Sequence, residues 1–227
     1  RFGEWMAHKT FAFISDGGIQ EEISQSAGRI AGFLGLNNLV MFYDSNDIQL
    51  STDTNAVTCE NTAMKYEAWG WNVMTIDGND ASQIRASLTK AIAETKKPTL
   101  IIGKTIMGKG ALAPDGSSFE RKCATHGMPL GESGASFEKS IENLGGNPAD
   151  PFVIFPEVAA LYQEAAKAKT AEAAKRKHAQ REWEKSNPGL AAKLQLFFSG
   201  NLPELDFSSV AQKEGVASRA ASAAILG

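Results

Sequence analysis

Long apolar runs are missing from this chain. No stretch reaches the roughly 20 residues that a membrane-spanning helix needs, and the opening residues, RFGEWMAHK, lack the apolar centre of a secretory signal. Cysteine is scarce: Cys59 and Cys123 are the only two, and they fit no metal-ligand spacing. That scarcity favours a reduced, cytoplasmic setting. An excess of positive charge is lacking as well. Lys and Arg number 23 against 26 Asp and Glu, a net charge of −3, so the chain carries no nucleic-acid footprint. No membrane and no nucleic-acid partner is expected. What remains is a 43% hydrophobic sequence of 227 residues, the composition of a globular protein with one large domain or one domain plus an appendage.

The chain alternates between strand and helix patterns from residue 10 to 105. TFAFIS (10–15) reads as a short buried strand. Apolar residues then recur at helical spacing from Ile19 to about Leu36, with Ile19, Ile23, Ala27, Ile30, Phe33 and Leu34 on the expected core face. LVMFYD (39–44), WNVMTI (71–76) and TLIIGKT (99–105) read as strands, and 60–69 and 81–95 as helices. This alternation predicts an α/β fold, a parallel sheet with helices on both faces. A long Gly-rich loop follows over 106–132, of a length that is usually functional or disordered. Residues 156–186 form a charged, Ala-rich helix whose alternating charges read as a solvated face. A short helix is expected over 189–198 and a linker over 199–210; the last segment, 211–226, reads as the beginning of a further domain, with a helix pattern in VASRAASAAIL (216–226). The expected division is an α/β domain over 1–150, a helical linker over 151–210, and the start of another domain over 211–227.

Ligands of parallel α/β sheets bind at the carboxyl ends of the strands. Three segments follow strands directly: Asp16, Asp44 to Ile48, and Lys104 to Gly110. Asp16 and Asn46 each offer a hard oxygen, and a loop carbonyl can add a third, which suits magnesium bound together with phosphate oxygens. Gly17 allows close approach of backbone to a phosphate. Gly103 to Lys109 reads G-x-x-x-x-G-K, close to a phosphate-binding loop. Its next residue is Gly110 rather than the required Ser or Thr, which argues against nucleotide hydrolysis. His8 and His178 read as surface residues.

The pair Asp16-Gly17 and Asn46-x-Ile48 resembles the diphosphate–metal signature of thiamine diphosphate enzymes. EEISQSAG, FYDSNDI, TAMKYEAWGW, and KTIMGKGA followed by THGMPLG are similar to stretches of transketolase. The similarity runs from about residue 10 to 145 and continues more loosely to VASRAAS. It implies transfer of a two-carbon ketol unit between sugar phosphates in the pentose phosphate pathway, using thiamine diphosphate and Mg²⁺, for which Ca²⁺ can substitute. It also implies a cytoplasmic homodimer with the active site at the interface. In that resemblance Asp16, Asn46 and the carbonyl of Ile48 hold the metal, and Gly17 and Asn46 touch the diphosphate. His126 lines cofactor and substrate, Glu21 joins a proton relay between the two sites, and Arg219 binds the sugar phosphate.

The chain departs from the family in three respects. Ser15 stands where the motif has glycine, and the loop before His126 is longer than usual. The family's preceding histidines and its later activating glutamate are not among these residues, so the 227 residues alone are expected not to turn over. A related enzyme of the deoxyxylulose phosphate synthase kind and a non-catalytic assembly module are the alternatives.

Overall fold

A computed structural model of the chain describes residues 3–201, 206–211 and 213–226. The expected linker at 199–210 therefore lies partly outside the described residues. Two compact units divide the chain: Ala7–Glu164, and a second that joins Arg1–Met6 to Ala165–Gly227.

The first unit is built on four parallel strands, β1 (Thr10–Ser15), β2 (Leu39–Ser45), β3 (Asn72–Asp77) and β4 (Thr99–Lys104), in the order β1-β2-β4-β3. The register sets Ser15 beside Asp44, Asp44 beside Gly103, and Ser45 beside Lys104. All four strands therefore end along one edge, where the loops after β1, β2 and β4 meet. Helices α1 (Asp16–Gln20), α2 (Glu22–Phe33) and α3 (Thr62–Ala68) lie over one face, with Ile19, Ala31, Tyr43, Tyr66, Trp71, Leu100 and Ile102 packed between. Helix α4 (Ala81–Ala93) covers the other, where Ala91 and Leu88 meet Val40, Ile101, Phe42 and Met74. Strand β4 is buried on both faces, which is why TLIIG reads as an unbroken apolar run rather than an alternating one.

The helix expected over 19–36 differs in two ways. It is broken at Glu21, whose extended backbone (φ −61°, ψ 133°) separates α1 from α2. Two glycines in a five-residue helix supply little propensity to carry it further. The second difference concerns the face. Large apolar residues mark the stripe Ile23, Ile30, Phe33 and Leu34, yet this stripe is exposed, Phe33 at 87%. The small residues Gly28 and Ala31 face the core instead. Close approach explains the reversal: a Cβ on Gly32 would lie 1.9 Å from the Trp69 carbonyl oxygen, and one on Gly28 would lie 3.2 Å from the Trp69 ring. The indole N–H of Trp71 donates to the Gly28 carbonyl at 2.8 Å, locking α2 onto the segment after α3.

The 106–132 loop is ordered by a small core of its own, Ala111, Phe119 and Ala135 with Leu130. It is seated on a helix that the sequence pattern did not single out, α5 (Phe137–Asn143), capped by the Ser136 hydroxyl. The buried Ser140 hydroxyl accepts from the Leu112 N–H at 3.0 Å, and Asn143 donates to the Gly110 carbonyl at 3.0 Å. No helix begins at Lys109. The first glycine of the G-x-x-x-x-G-K pattern is a packing residue inside β4, where a Cβ would sit 2.3 Å from the Phe42 ring.

The charged helix α6 (Pro156–Ser186) runs as expected and buries no residue. Helix α7 (Pro188–Phe198) follows a proline at its first turn, and α8 (Ser218–Leu226) lies within the expected last helix. Inside the second unit Trp5 packs against Trp183, ring centroids 5.7 Å apart.

Gly32→Ala is expected to cost about 3 kcal/mol, because a methyl group there displaces backbone rather than a flexible side chain; urea denaturation measures it. The Tyr66 phenol, pushed up to about 12 by burial, keeps its proton in the fold above the ordinary value near 10. The folded state then binds more protons than the unfolded one, so stability falls as pH rises from about 10 to 12. Tyr66→Phe should flatten that fall in denaturation midpoints measured across this range.

Candidate functional site

The end of β1 runs into the first turn of α1, and this junction places Asp16. Its side chain is 1% exposed. One carboxylate oxygen accepts the Tyr43 hydroxyl at 2.6 Å, and the other accepts the Asn46 backbone N–H at 2.9 Å. Both donors come from β2 and the loop after it, so one carboxylate ties the ends of two strands together. Burial, and then the Asp16 carboxylate, raise the Tyr43 phenol well above its ordinary range, so it remains a donor. Ser15, where the family motif has glycine, caps α1: its hydroxyl accepts the Gly18 N–H at 3.3 Å. Gly17 is open above, since a Cβ there would meet no protein atom within 4 Å.

The loop after β2 is wound tightly. The Asn46 side-chain oxygen accepts the Ile48 N–H at 3.1 Å, and Asp47 between them takes a left-handed φ of 67°. Asn46 lines two cavities. One, of about 450 Å³, is walled by Phe11, Phe13, Phe42, Asp44 and Met107. The other, of about 630 Å³, is walled by Asp47, Ile48, Asp53, Cys59 and Arg121. Among the described residues no group of three or more His, Cys, Asp or Glu side chains is placed to hold a metal. A cation here would depend on amide and main-chain oxygens beside Asp16.

Residues 3–203 match the family model for the thiamine diphosphate binding domain of transketolase. The chain belongs to the transketolase family. The Geobacillus stearothermophilus transketolase is 34% identical over 203 residues, 88% of this chain and 29% of that protein. The Streptococcus pyogenes transketolase is 45% identical over 133 residues, 58% of this chain and 17% of that protein. Among solved structures, Leishmania mexicana transketolase superposes with a TM-score of 0.83 at 26% identity, over 98% of this chain and 32% of that one. A Pichia stipitis transketolase in complex with sedoheptulose 7-phosphate gives 0.72 at 26%, over 96% and 32%. The chain thus spans about three-tenths of the length of several transketolases it resembles.

Asp16, Asn46 and Ile48 form one hydrogen-bonded corner, with Gly17 beside it. His126 follows a short 3-10 turn (Cys123–Thr125), and its Nδ1 is buried with no hydrogen-bond partner among the described residues. The next residue, Gly127, lies beside Leu50, so the histidine turn borders the loop that carries Ile48. Glu21 is exposed at the break between α1 and α2, and its side chain makes no capping hydrogen bond. Arg219 is the second residue of α8, exposed, in the other unit. Two groups escaped notice in the sequence. Tyr43 anchors Asp16, and the Thr105 hydroxyl donates to Asp44 across the strand ends. The only signal for either was adjacency to the motif.

Tyr43→Phe keeps the ring and removes one hydrogen bond to a buried carboxylate. It is expected to destabilise the first unit by about 1.5–3 kcal/mol in chemical denaturation.

Proposed function

We propose that this chain supplies the diphosphate- and metal-gripping half of a transketolase site. The reaction is reversible transfer of a two-carbon ketol unit from a ketose phosphate to an aldose phosphate. The observation that carries the reading is the Asp16–Asn46–Ile48 corner, at the carboxyl edge of a parallel sheet, in a member of this family. The donor set fits magnesium: one carboxylate, one amide oxygen and one main-chain carbonyl are hard oxygens, and the remaining octahedral positions suit phosphate oxygens and water. Ca²⁺ can take the same donors with looser geometry.

Thiamine diphosphate, when bound, supplies the electron sink for the carbon–carbon chemistry. The chain's own residues bind and orient. Gly17 lets its backbone approach the diphosphate, since no side chain intervenes. Asn46 would contact both metal and diphosphate. The orphaned Nδ1 of His126 suits a hydrogen bond to cofactor or substrate, because a buried polar atom without a partner is costly unless a ligand completes it. Arg219 offers a planar fork for a sugar phosphate, and the Pichia stipitis structures in complex with sugar phosphates support that substrate class. Glu21 would join the relay between the two sites of a homodimer, and the bare apolar stripe of α2 suits such an interface. The two free cysteines accord with a reducing compartment such as the cytoplasm, and the ketol transfer would belong to the pentose phosphate pathway.

Calorimetric titration of the chain with thiamine diphosphate tests the reading. Binding is expected to require Mg²⁺ and to disappear in Asp16→Ala. An unchanged affinity in that variant would overturn the proposal.

A further inference from the structure

We propose that Lys104 is a positioning residue for the metal loop, acting through Asp47. Asn46 and Ile48, two of the three donors, flank one residue whose backbone is left-handed, Asp47 at φ 67°. That turn folds the loop back on itself, so that the Asn46 amide oxygen accepts the Ile48 N–H at 3.1 Å. Residues other than glycine adopt it at a cost, aspartate less than most. Something must therefore hold Asp47 in place.

Lys104 is the last residue of β4, and the sheet register sets it beside Ser45, one residue before the first loop donor. Its Nζ donates to the Asp47 carboxylate at 2.7 Å and to the Ser45 hydroxyl at 2.9 Å. The backbone around it closes the same grip: the Thr105 N–H donates to the Ser45 carbonyl at 3.1 Å, and the Thr54 N–H to the Asp47 carbonyl at 2.9 Å. The Lys104–Asp47 pair is half exposed, so by itself it adds little to global stability. Ser45, by contrast, is buried, and its contact fixes where the ammonium stands. The structure thus assigns Lys104 a local task, setting the direction of two ligands, while the strands hold the fold. Partners that orient ligands in this way typically change metal affinity by tenfold or more when removed.

This inference rests on the metal reading above, and one experiment separates the two. Mn²⁺ binding to the full chain, with thiamine diphosphate present, is followed by the loss of the free-ion electron paramagnetic signal. The variants are Lys104→Met, Lys104→Arg, Asp47→Gly and Asp47→Gly with Lys104→Met. Lys104→Met is expected to weaken Mn²⁺ about tenfold while its urea midpoint stays that of the parent. Lys104→Arg, which keeps a cation within reach of Asp47, should retain most of the affinity. With glycine at 47 the left-handed turn needs no holding, so removing Lys104 in that background should change nothing further. Parent-like Mn²⁺ affinity in Lys104→Met, an equal loss in Lys104→Arg, or the full loss on the glycine background would each overturn the clamp and leave the metal site standing. A parent chain that binds no Mn²⁺ would remove the metal reading, and the clamp with it.

Discussion

Asp16 holds a carboxylate at the end of β1 with almost no access to water, and the arrangement of the site depends on how that charge is satisfied. A buried carboxylate is costly unless hydrogen bonds or a cation offset it. Here a phenol and a backbone N–H do so, and both belong to the β2 end. The consequence is geometric. The loop after β2 cannot drift from the turn after β1 without stripping Asp16 of a donor, so Asn46 and Ile48 are brought to the carboxylate by its own need for partners. The corner is thus held by the folding requirement of a single buried carboxylate.

The rest of the first unit can be understood as support for that corner. Parallel pairing brings all four strand ends to one edge. The small-residue face of α2 lets Tyr66, Trp69 and Trp71 come close, and their rings, 4.8 and 5.2 Å from one another around Tyr66, fill the space that larger helix residues would have taken. The long loop after β4 stays near the edge because it carries a miniature core and is stitched to α5, rather than being drawn into the main core. The turn at His126 and Gly127 thereby comes to lie beside Leu50, in the loop after β2.

Large apolar side chains are exposed on β1 and α2. Phe13 on β1 is 82% exposed and Ile23 on α2 is 80% exposed. The Phe13 ring meets Phe42 beside it, centroids 5.8 Å apart, and leaves most of its surface open. The chain spans about three-tenths of the length of several transketolases it resembles.

Much of this was legible without coordinates. The alternation of short apolar runs with helical periodicity determined the α/β class and put Asp16, Asn46 and Ile48 after strands, since strand burial on both faces leaves a plain signature in residue type. Motif similarity determined the family. Tertiary structure alone decided which side of α2 is the inside: periodicity reports a stripe but not its partner, and here the partner is a tryptophan-rich segment that admits only glycine and alanine. It also decided that Asp16 is anchored by Tyr43 and that Lys104 reaches Asp47. Those contacts join residues 27 and 57 positions apart, and nothing local in the sequence encodes a distance that only strand order and register create.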